Sequence, residues 1–279
     1  MYKCSLERMS DKIKTFSQFG DAGHGGITRY SLSPEAKMAR AEFVKRMEAI
    51  GAEIEVDDLA NIYATLPGTD PNAKRIIAGS HCDSVKNGGN YDGILGVMSA
   101  MEALETIADQ KIPHKHPMTA YIMTNEEGSL YPPAMMVSGI LCNDYLPPEL
   151  AKNFKYEDMM AVPAMEEHEG SEKTFGETCL CNFEAHIEQG PILEDNDKEI
   201  GVVDCVLGMF NYSLIFTGFA AHAGTFPMNK RHDALYAASQ ALCYLHDEVD
   251  KLGRPELVYT TGEIYCHPCV HTVIPDYVE

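Results

Sequence analysis

The chain has 279 residues, of which 45% are hydrophobic and 23% are charged, a composition typical of a globular protein with a buried core. Its formal net charge of −20 opposes binding to nucleic acid or to an anionic membrane, because both partners would be repelled at long range. No apolar stretch reaches the length of a membrane span and residues 1–20 lack an apolar signal core, so we expect a cytoplasmic protein that binds a small-molecule substrate.

Taken in chain order, the hydrophobic pattern alternates between helices and strands. Residues 34–50 carry apolar side chains at helical spacing, with Ser33 as a cap candidate, Pro34 in the first turn and Gly51 at the end. Further predicted elements are a strand over 52–68, a short apolar strand over 74–81, a helix over 93–108 and a buried strand over 118–128. This order predicts an α/β fold in which a central mixed sheet is flanked by helices, with its site at the carboxyl edge.

Polar residues of metal-binding type follow two of the predicted strands. His81 and Asp83 come at the end of the first strand, Asp92 lies in a glycine-flanked turn beyond it, and Glu126 and Glu127 end the next strand. A neutral imidazole with several carboxylates suits Zn²⁺, or a harder ion such as Mn²⁺, and one carboxylate can bridge two ions. The pattern therefore favours a hydrolytic site with two divalent metal ions.

Two later clusters contain histidine. The segment "FEAHIEQGPILE" places His186 and Gln189 after a strand-like run, and "TGFAAHAGTFP" places His222 among small residues. An isolated histidine is more often an ordinary core or surface residue, and a pair such as Glu126–Glu127 is more often a solvated charge pair. The position of that pair directly after an apolar strand favours the functional interpretation.

Four segments together carry a resemblance to a known family: "GSHCDSVKNGGNYDGILGV", "TNEEGSLYPPAMMVSG", "HIEQGPILE" and "GFAAHAGTFPMNKRHDAL". They resemble the hydantoinase/carbamoylase group of metal-dependent amidohydrolases, within the wider family of di-zinc aminoacylases and exopeptidases. The group includes N-carbamoyl-L-amino-acid hydrolase, allantoate amidohydrolase and β-ureidopropionase. Four motifs in the same order are far more specific than any one of them.

The resemblance implies a role for each metal-binding residue. His81 and His186 would be ligands of one metal ion, Glu127 would be a ligand of the other, and Asp92 would bridge the two. Glu126 would be the general base that takes a proton from the attacking water.

The resemblance also implies roles around the metal ions. Asp83 would orient His81, and Gln189 would contact the substrate. His222 would stabilise the oxyanion from a lid domain that often reaches the site of the partner subunit. The peptide bond between Asp92 and Gly93 is expected to be cis, as it often is in such relatives.

The resemblance predicts a metal-binding catalytic domain over residues 1–206 and part of an α+β, ferredoxin-like lid and dimerisation domain over 207–279. Within the lid we expect a strand over 212–218, a helix over 229–253 and a strand over 256–266. Family chains continue through the rest of the lid and supply a last metal-binding histidine. We therefore expect this chain alone to leave a strand edge open and to be inactive, and the full-length protein to form a homodimer through the lid.

Two positions depart from the family pattern. Thr272 stands where an Asn usually precedes "VIP", and Phe210 stands where an Arg is common. Two functions of different classes follow. The first is a metal-dependent amidohydrolase that removes a carbamoyl or ureido group as ammonia and carbon dioxide. The second is an inactive fragment or a non-catalytic relative that binds a ligand in the same cleft. The intact set of ligand types in these motifs favours the first for the full-length protein.

Overall fold

The computed structural model describes residues 2–57, 59–141 and 178–279. The chain divides into two compact units, Met1–Ile200 and Gly201–Glu279, close to the boundary predicted after residue 206. The predicted mixed sheet flanked by helices is confirmed in the first unit.

Two helices precede the sheet. Helix α1 spans Leu6–Phe16 and begins after Ser5, whose side chain accepts a hydrogen bond from the Arg8 main-chain N–H. Helix α2 spans Pro34–Ala49, and the predicted cap at Ser33 accepts from the Ala36 N–H. The chain leaves α2 through Gly51, whose φ of 81° is readily adopted only without a Cβ.

In the part of the first unit that the structure describes, the sheet has five strands: β1 (Glu53–Val56), β2 (Ile62–Leu66), β3 (Arg75–His81), β4 (Met118–Met123) and β5 (Cys179–Phe183). Their order is β1-β2-β4-β3-β5. The β1–β2 and β2–β4 pairs are antiparallel, whereas β3 runs parallel to both β4 and β5. The carboxyl ends of three neighbouring parallel strands therefore meet at one edge.

The prediction of a single strand over 52–68 is wrong, because the structure has two antiparallel strands there, β1 and β2. The Asp57 carboxylate accepts hydrogen bonds from the main-chain N–H groups of Leu59 and Asn61, from the Asn61 side chain and from the Tyr63 hydroxyl. A buried Asp that gathers this many donors stabilises a turn, which alternation of apolar residues alone does not reveal.

Helix α3 (Ile94–Asp109) packs against β3 and β4. Among the described residues of this unit, two short helices follow it, α4 (Met136–Leu141) and α5 (Ile192–Asp195). One continuous core joins α1, α2 and α3 to the sheet, with Phe16, Phe43, Met98, Met101 and Ile122 almost completely buried.

A buried ionic cluster holds α1 against α3. Lys12 has a fully buried side chain and donates from Nζ to Glu102, at 2.9 Å, and to Glu105. Arg8, nearer the surface, donates to Glu102 at 2.7 Å and to Asp109 at 3.1 Å. Burial opposes ionisation of Glu102, but its hydrogen bonds with Arg8 and Lys12 prevail and lower its pKa to about 2.

The second unit contains one α-helix, a short 3₁₀ helix over Met228–Lys230 and a small antiparallel sheet. Strands β6 (Phe216–Thr217), β7 (Cys266–His267) and β8 (Tyr277–Val278) are ordered β6-β8-β7, and α6 (Ala234–Asp250) packs on them. The helix begins after Asp233, whose side chain accepts from the Tyr236 N–H.

The strands predicted over 212–218 and 256–266 are much shorter in the structure. A strand needs a neighbour for its main-chain hydrogen bonds, and among the described residues only β8 lies beside each of these segments. Many apolar side chains of this unit are exposed, including Val202, Val206, Phe210, Tyr212 and Val258. In the described part of the chain, no helix combines the length and apolar character needed to cross a membrane.

Candidate metal centre

The candidate centre lies where the three parallel strands end. His81 is the last residue of β3 and pairs with Met123, the last residue of β4. Glu126 and Glu127 follow β4 after a turn at Asn125, which has a positive φ of 55°. His186 comes three residues after β5, the strand on the other side of β3. Parallel pairing therefore brings together residues that are far apart in the sequence.

Two overlapping groups of side chains can each hold a metal ion. One consists of His81, Asp92 and His186 and the other of His81, Glu126 and Glu127; within each group, one ligand atom per residue lies within 4.8 Å of the others. His186 Nε2 is 3.2 Å from Asp92 Oδ1, and His81 Nε2 is 3.6 Å from Glu126 Oε2. The five residues thus share one cluster, in which His81 is common to both groups.

Main-chain carbonyls orient both histidines. His81 Nδ1 lies 2.9 Å from the Asp83 carbonyl oxygen, and His186 Nδ1 lies 2.8 Å from the Ile187 carbonyl oxygen. A carbonyl only accepts, so in the neutral form of each ring Nδ1 carries the proton and Nε2 can offer a lone pair to the cluster. This is the tautomer that a metal ligand needs.

Asp83 has a wider role than the sequence predicts. Its carboxylate is 3.6 Å from His81 Nδ1, farther than its own carbonyl. The carboxylate also accepts from the main-chain N–H groups of Glu126, at 3.4 Å, and Glu127, at 3.1 Å. Burial alone would raise the pKa of Asp83, but its interactions with His81 and with these N–H groups lower it. Asp83 therefore joins the ends of β3 and β4.

The electrostatics of the cluster favour a cation. Burial raises the pKa of Glu126 and of Glu127, and the nearby carboxylates raise both further, against the opposing effect of His81. Burial lowers the pKa of His81, but Asp83 and the two glutamates outweigh it and raise the value to about 9. Negative charge is in excess here, and the donor set of imidazoles and carboxylates fits a divalent ion such as Zn²⁺ or Mn²⁺.

The turn at Gly93 sets the approach of Asp92 to His81. Gly93 has φ 62° and ψ −53°, and the Ile94 N–H donates to the Asp92 carbonyl at 2.6 Å, which defines a γ-turn. The prediction of a cis peptide bond between Asp92 and Gly93 is wrong. Among the described residues, the cis bonds are Pro132–Pro133 and His267–Pro268. The positive φ that glycine permits turns the chain without a cis bond.

Substitution of Gly93 by Ala is expected to weaken metal binding about tenfold or more, as changes beside metal ligands do. A Cβ there would lie 2.3 Å from His81 Nε2, so the imidazole would have to move away from the cluster. Metal affinity measured by chelator competition tests this. Gly51→Ala is the matched control, because Gly51 also has a positive φ but nothing within 4 Å of its Cβ position. Equal affinities of the two variants would contradict the role of Gly93.

Gln189 and Glu184 complete the surroundings of the cluster. Gln189, expected to contact substrate, donates from Nε2 to Asp92 Oδ2 at 2.5 Å in this structure. Glu184 was missed by the sequence analysis; it accepts from the Ser80 hydroxyl at 2.6 Å and contributes to the raised pKa of Glu126. Its position directly after a strand-like run and two residues before His186 was an available signal.

His222 lies in the second unit. The Gly224 N–H donates to His222 Nδ1 at 3.1 Å, so the neutral ring carries its proton on Nε2. Main-chain pairing holds the residue: the Ala223 N–H donates to the Thr272 carbonyl at 2.8 Å, and His222 bridges to Val273. Thr272, one of the two departures from the family pattern, is therefore next to His222, whereas the other, Phe210, is exposed.

Comparison with known proteins places the chain in a family. The model of peptidase family M20/M25/M40 matches residues 65–262. The N-carbamoyl-L-amino-acid amidohydrolase of Rhizobium meliloti is 33% identical over 98% of this chain and 66% of its own length. The allantoate amidohydrolase of Escherichia coli K12 is 32% identical over 96% of this chain and 66% of its own length.

A solved structure agrees with this result. An amidase of the hydantoinase/carbamoylase family from Burkholderia vietnamiensis has a TM-score of 0.76 and 32% identity, covering 99% of this chain and 67% of that one. The chain belongs to peptidase family M20/M25/M40, and its predicted resemblance to the hydantoinase/carbamoylase group is confirmed. The expected enzyme class, hydrolases of amide bonds, is confirmed for that family. The chain spans about two thirds of the length of the curated relatives it matches.

Proposed function

We propose that the protein is a metal-dependent amidohydrolase that cleaves the carbamoyl or ureido C–N bond of an N-carbamoyl amino acid or of a linear ureide such as allantoate. The observation that carries the proposal is the convergence of two imidazoles and three carboxylates at the ends of three parallel strands. The names of the relatives support the substrate class, since they include N-carbamoyl-L-amino-acid amidohydrolase, allantoate amidohydrolase and ureidoglycolate hydrolase.

Two divalent ions, Zn²⁺ or Mn²⁺, fit the donor set. His81 and His186 would hold one, Glu127 the other, and Asp92 would bridge them. When bound, the ions would polarise the substrate carbonyl and lower the pKa of a water molecule towards neutrality. Asp83 serves this centre by holding His81 and the Glu126–Glu127 turn in fixed positions.

Glu126 is the proposed general base. Its side chain is 36% exposed, so water and substrate can reach it, and its Oε2 lies beside His81 in the cluster. It accepts a proton from the attacking water and returns that proton to the leaving nitrogen, which departs as a neutral amine. Gln189, now hydrogen-bonded to Asp92, is proposed to turn its amide towards the substrate.

His222 is proposed to donate a hydrogen bond from Nε2 to the oxyanion that forms on the substrate carbonyl. The support is local: Gly224 fixes the tautomer that leaves Nε2–H free to donate. A positioned neutral donor of this kind stabilises the charge that develops in the transition state.

The proposal is tested with a purified protein that extends this chain to the length of its curated relatives, supplied with Zn²⁺ or Mn²⁺. Metal analysis is expected to find two ions per chain, and ammonia release is expected from at least one of N-carbamoyl-L-amino acids, allantoate and ureidoglycolate. N-acetyl amino acids and dipeptides are the control substrates and should not be cleaved.

Two bound ions without any turnover would contradict the reaction and favour a non-catalytic relative, and absence of bound metal would contradict the centre itself. The proposal includes a homodimer formed through residues 207–279, where apolar side chains are exposed. Light scattering on the same sample measures its mass.

A further inference from the structure

The N-terminal segment lies outside the region that the family model covers, yet it contacts the candidate metal-binding loops. The model matches residues 65–262, so α1 and the segment after it lie before the matched region. Two hydrogen-bond networks nevertheless lead from this segment to the loops that carry His81, Asp83 and Asp92.

The first network centres on Arg29, which is 2% exposed. Its Nε donates to the Cys82 carbonyl at 2.5 Å, and its Nη1 donates to the carbonyls of Phe16, at 3.1 Å, and Phe19, at 2.8 Å. Phe16 is the last residue of α1, where helix carbonyls lack partners within the helix. Cys82 lies between His81 and Asp83, so one guanidinium joins the end of α1 to the backbone between these two residues.

Main-chain bonds reinforce this attachment. The Arg29 N–H donates to Ser84 Oγ and the Ser84 N–H donates to the Arg29 carbonyl, both at 2.9 Å. Ile27 and Gly88 exchange two further main-chain hydrogen bonds of 2.9 and 2.8 Å. The segment 27–29 therefore runs beside residues 84–88, which connect Asp83 to the turn before Asp92.

The second network reaches that turn. Asn90 Nδ2 donates to Ser17 Oγ at 2.7 Å, and Ser17 is the residue that caps the C-terminal end of α1. Asn90 precedes Asp92 by two residues. The C-terminal end of α1 is thus hydrogen-bonded near both ends of the segment that joins His81 to Asp92.

We propose that Arg29 is a positioning residue for the metal centre, which fixes the backbone of His81 and Asp83 against the C-terminal end of α1. The proposal rests on the assignment of these residues to a metal centre. Hydrogen bonds from a charged donor are stronger than neutral ones, and a buried guanidinium that lost its acceptors would be costly, so the Cys82 carbonyl has little freedom to move. A Cys82 carbonyl held in this way fixes the backbone directly after His81, the last residue of β3, and so limits the positions that the His81 imidazole can take.

The test compares the Zn²⁺ and Mn²⁺ affinities of Arg29→Met, Arg29→Lys and Arg46→Met with that of the unsubstituted protein, by competition with a chromophoric chelator. Arg29→Met is expected to weaken binding by about 10- to 100-fold, the range found when residues that orient metal ligands are changed. Arg29→Lys should recover part of the affinity because it keeps a charged donor. Arg46→Met is the matched control: Arg46 also contacts α1, through Asp11, but reaches no metal-binding loop.

Affinity of folded Arg29→Met within about twofold of the unsubstituted protein would overturn the proposal, whatever its thermal midpoint. If Arg29→Met does not fold, the affinities of Arg29→Lys and Asn90→Ala test the proposal instead. Asn90→Ala removes the hydrogen bond to Ser17 and leaves the buried guanidinium of Arg29 in place. Both are expected to bind several-fold more weakly, and unchanged affinity in both would overturn the proposal. If the unsubstituted protein binds neither ion, the proposed function fails together with this inference; normal binding that Arg29 does not affect removes the inference alone.

Discussion

Glu126→Gln is expected to lower turnover by about 10²- to 10⁴-fold while both metal ions stay bound, whereas Glu127→Gln is expected to lower metal occupancy itself. An amide in place of the Glu126 carboxylate can no longer accept the proton of water, but a general base that is not a ligand can lose its charge without releasing an ion. Glu127 is the proposed ligand, and an amide is a poorer ligand than a carboxylate. Turnover and metal content measured on the same samples separate these effects.

The comparison matters because the structure places both glutamates in the same group with His81. Glu42→Gln, the same chemical change on α2 beside Arg46, is the control and should alter neither turnover nor metal content. If Glu126→Gln lost its metal and Glu127→Gln kept it, the two roles would have to be exchanged. Full activity and full occupancy in both variants would refute the assignment of this pair.

Lys12→Met is expected to lower the free energy of unfolding by about 3 to 5 kcal/mol, the usual cost of removing one partner from a buried ion pair. Glu105 would then lack the Nζ donor that it has in the structure and keep its longer ion pair with Arg8, at 3.4 Å. Glu102 would keep Arg8, the Ser5 main-chain N–H and the Thr106 hydroxyl. Urea denaturation near pH 7 measures the difference.

The pH dependence and a double variant check the cause of this loss. Glu102, with a pKa of about 2 in the folded protein and a usual value of 4.5, contributes stability above about pH 4.5 that is lost as the pH falls towards 2. The gap between Lys12→Met and the unsubstituted protein should narrow over that interval, because protonated carboxyls no longer need Lys12. Lys12→Met/Glu105→Gln should recover part of the loss, and a gap that is independent of pH would argue against an electrostatic origin.

The elements that carry the candidate metal-binding residues could be predicted because their signals are local. Ser33 and Gly51 mark the ends of α2, and short apolar runs mark β3 and β4. Parallel pairing of these strands then brings His81 and the two glutamates to one edge, as expected for an α/β sheet. His186 required the resemblance, since β5 is separated from β3 by about a hundred residues.

The remaining features depend on contacts that no local pattern contains. Asp57 makes a turn through donors from three other residues, and Asp83 accepts from main-chain groups that lie more than forty residues away. Arg29 could not be distinguished from a surface arginine until its three carbonyl partners were known. The two longer strands predicted for the second unit failed because alternation indicates a tendency to be a strand, whereas pairing depends on a neighbour.

The parallel pairing of β5 with β3 has a consequence for local opening of the sheet. In the described part of the chain, β5 lies at one end of the sheet order and is held by hydrogen bonds to β3 along one side. His81 is the last residue of β3 and His186 follows β5, so an ion bound to both, as proposed, would join the two strands as a cross-link does. Detaching β5 from the metal-loaded protein then also requires release of the ion, and the free energy of that local opening rises by the free energy of metal binding. If the proposed metal centre forms, metal supply would therefore control the persistence of this edge of the sheet as well as chemistry at its end.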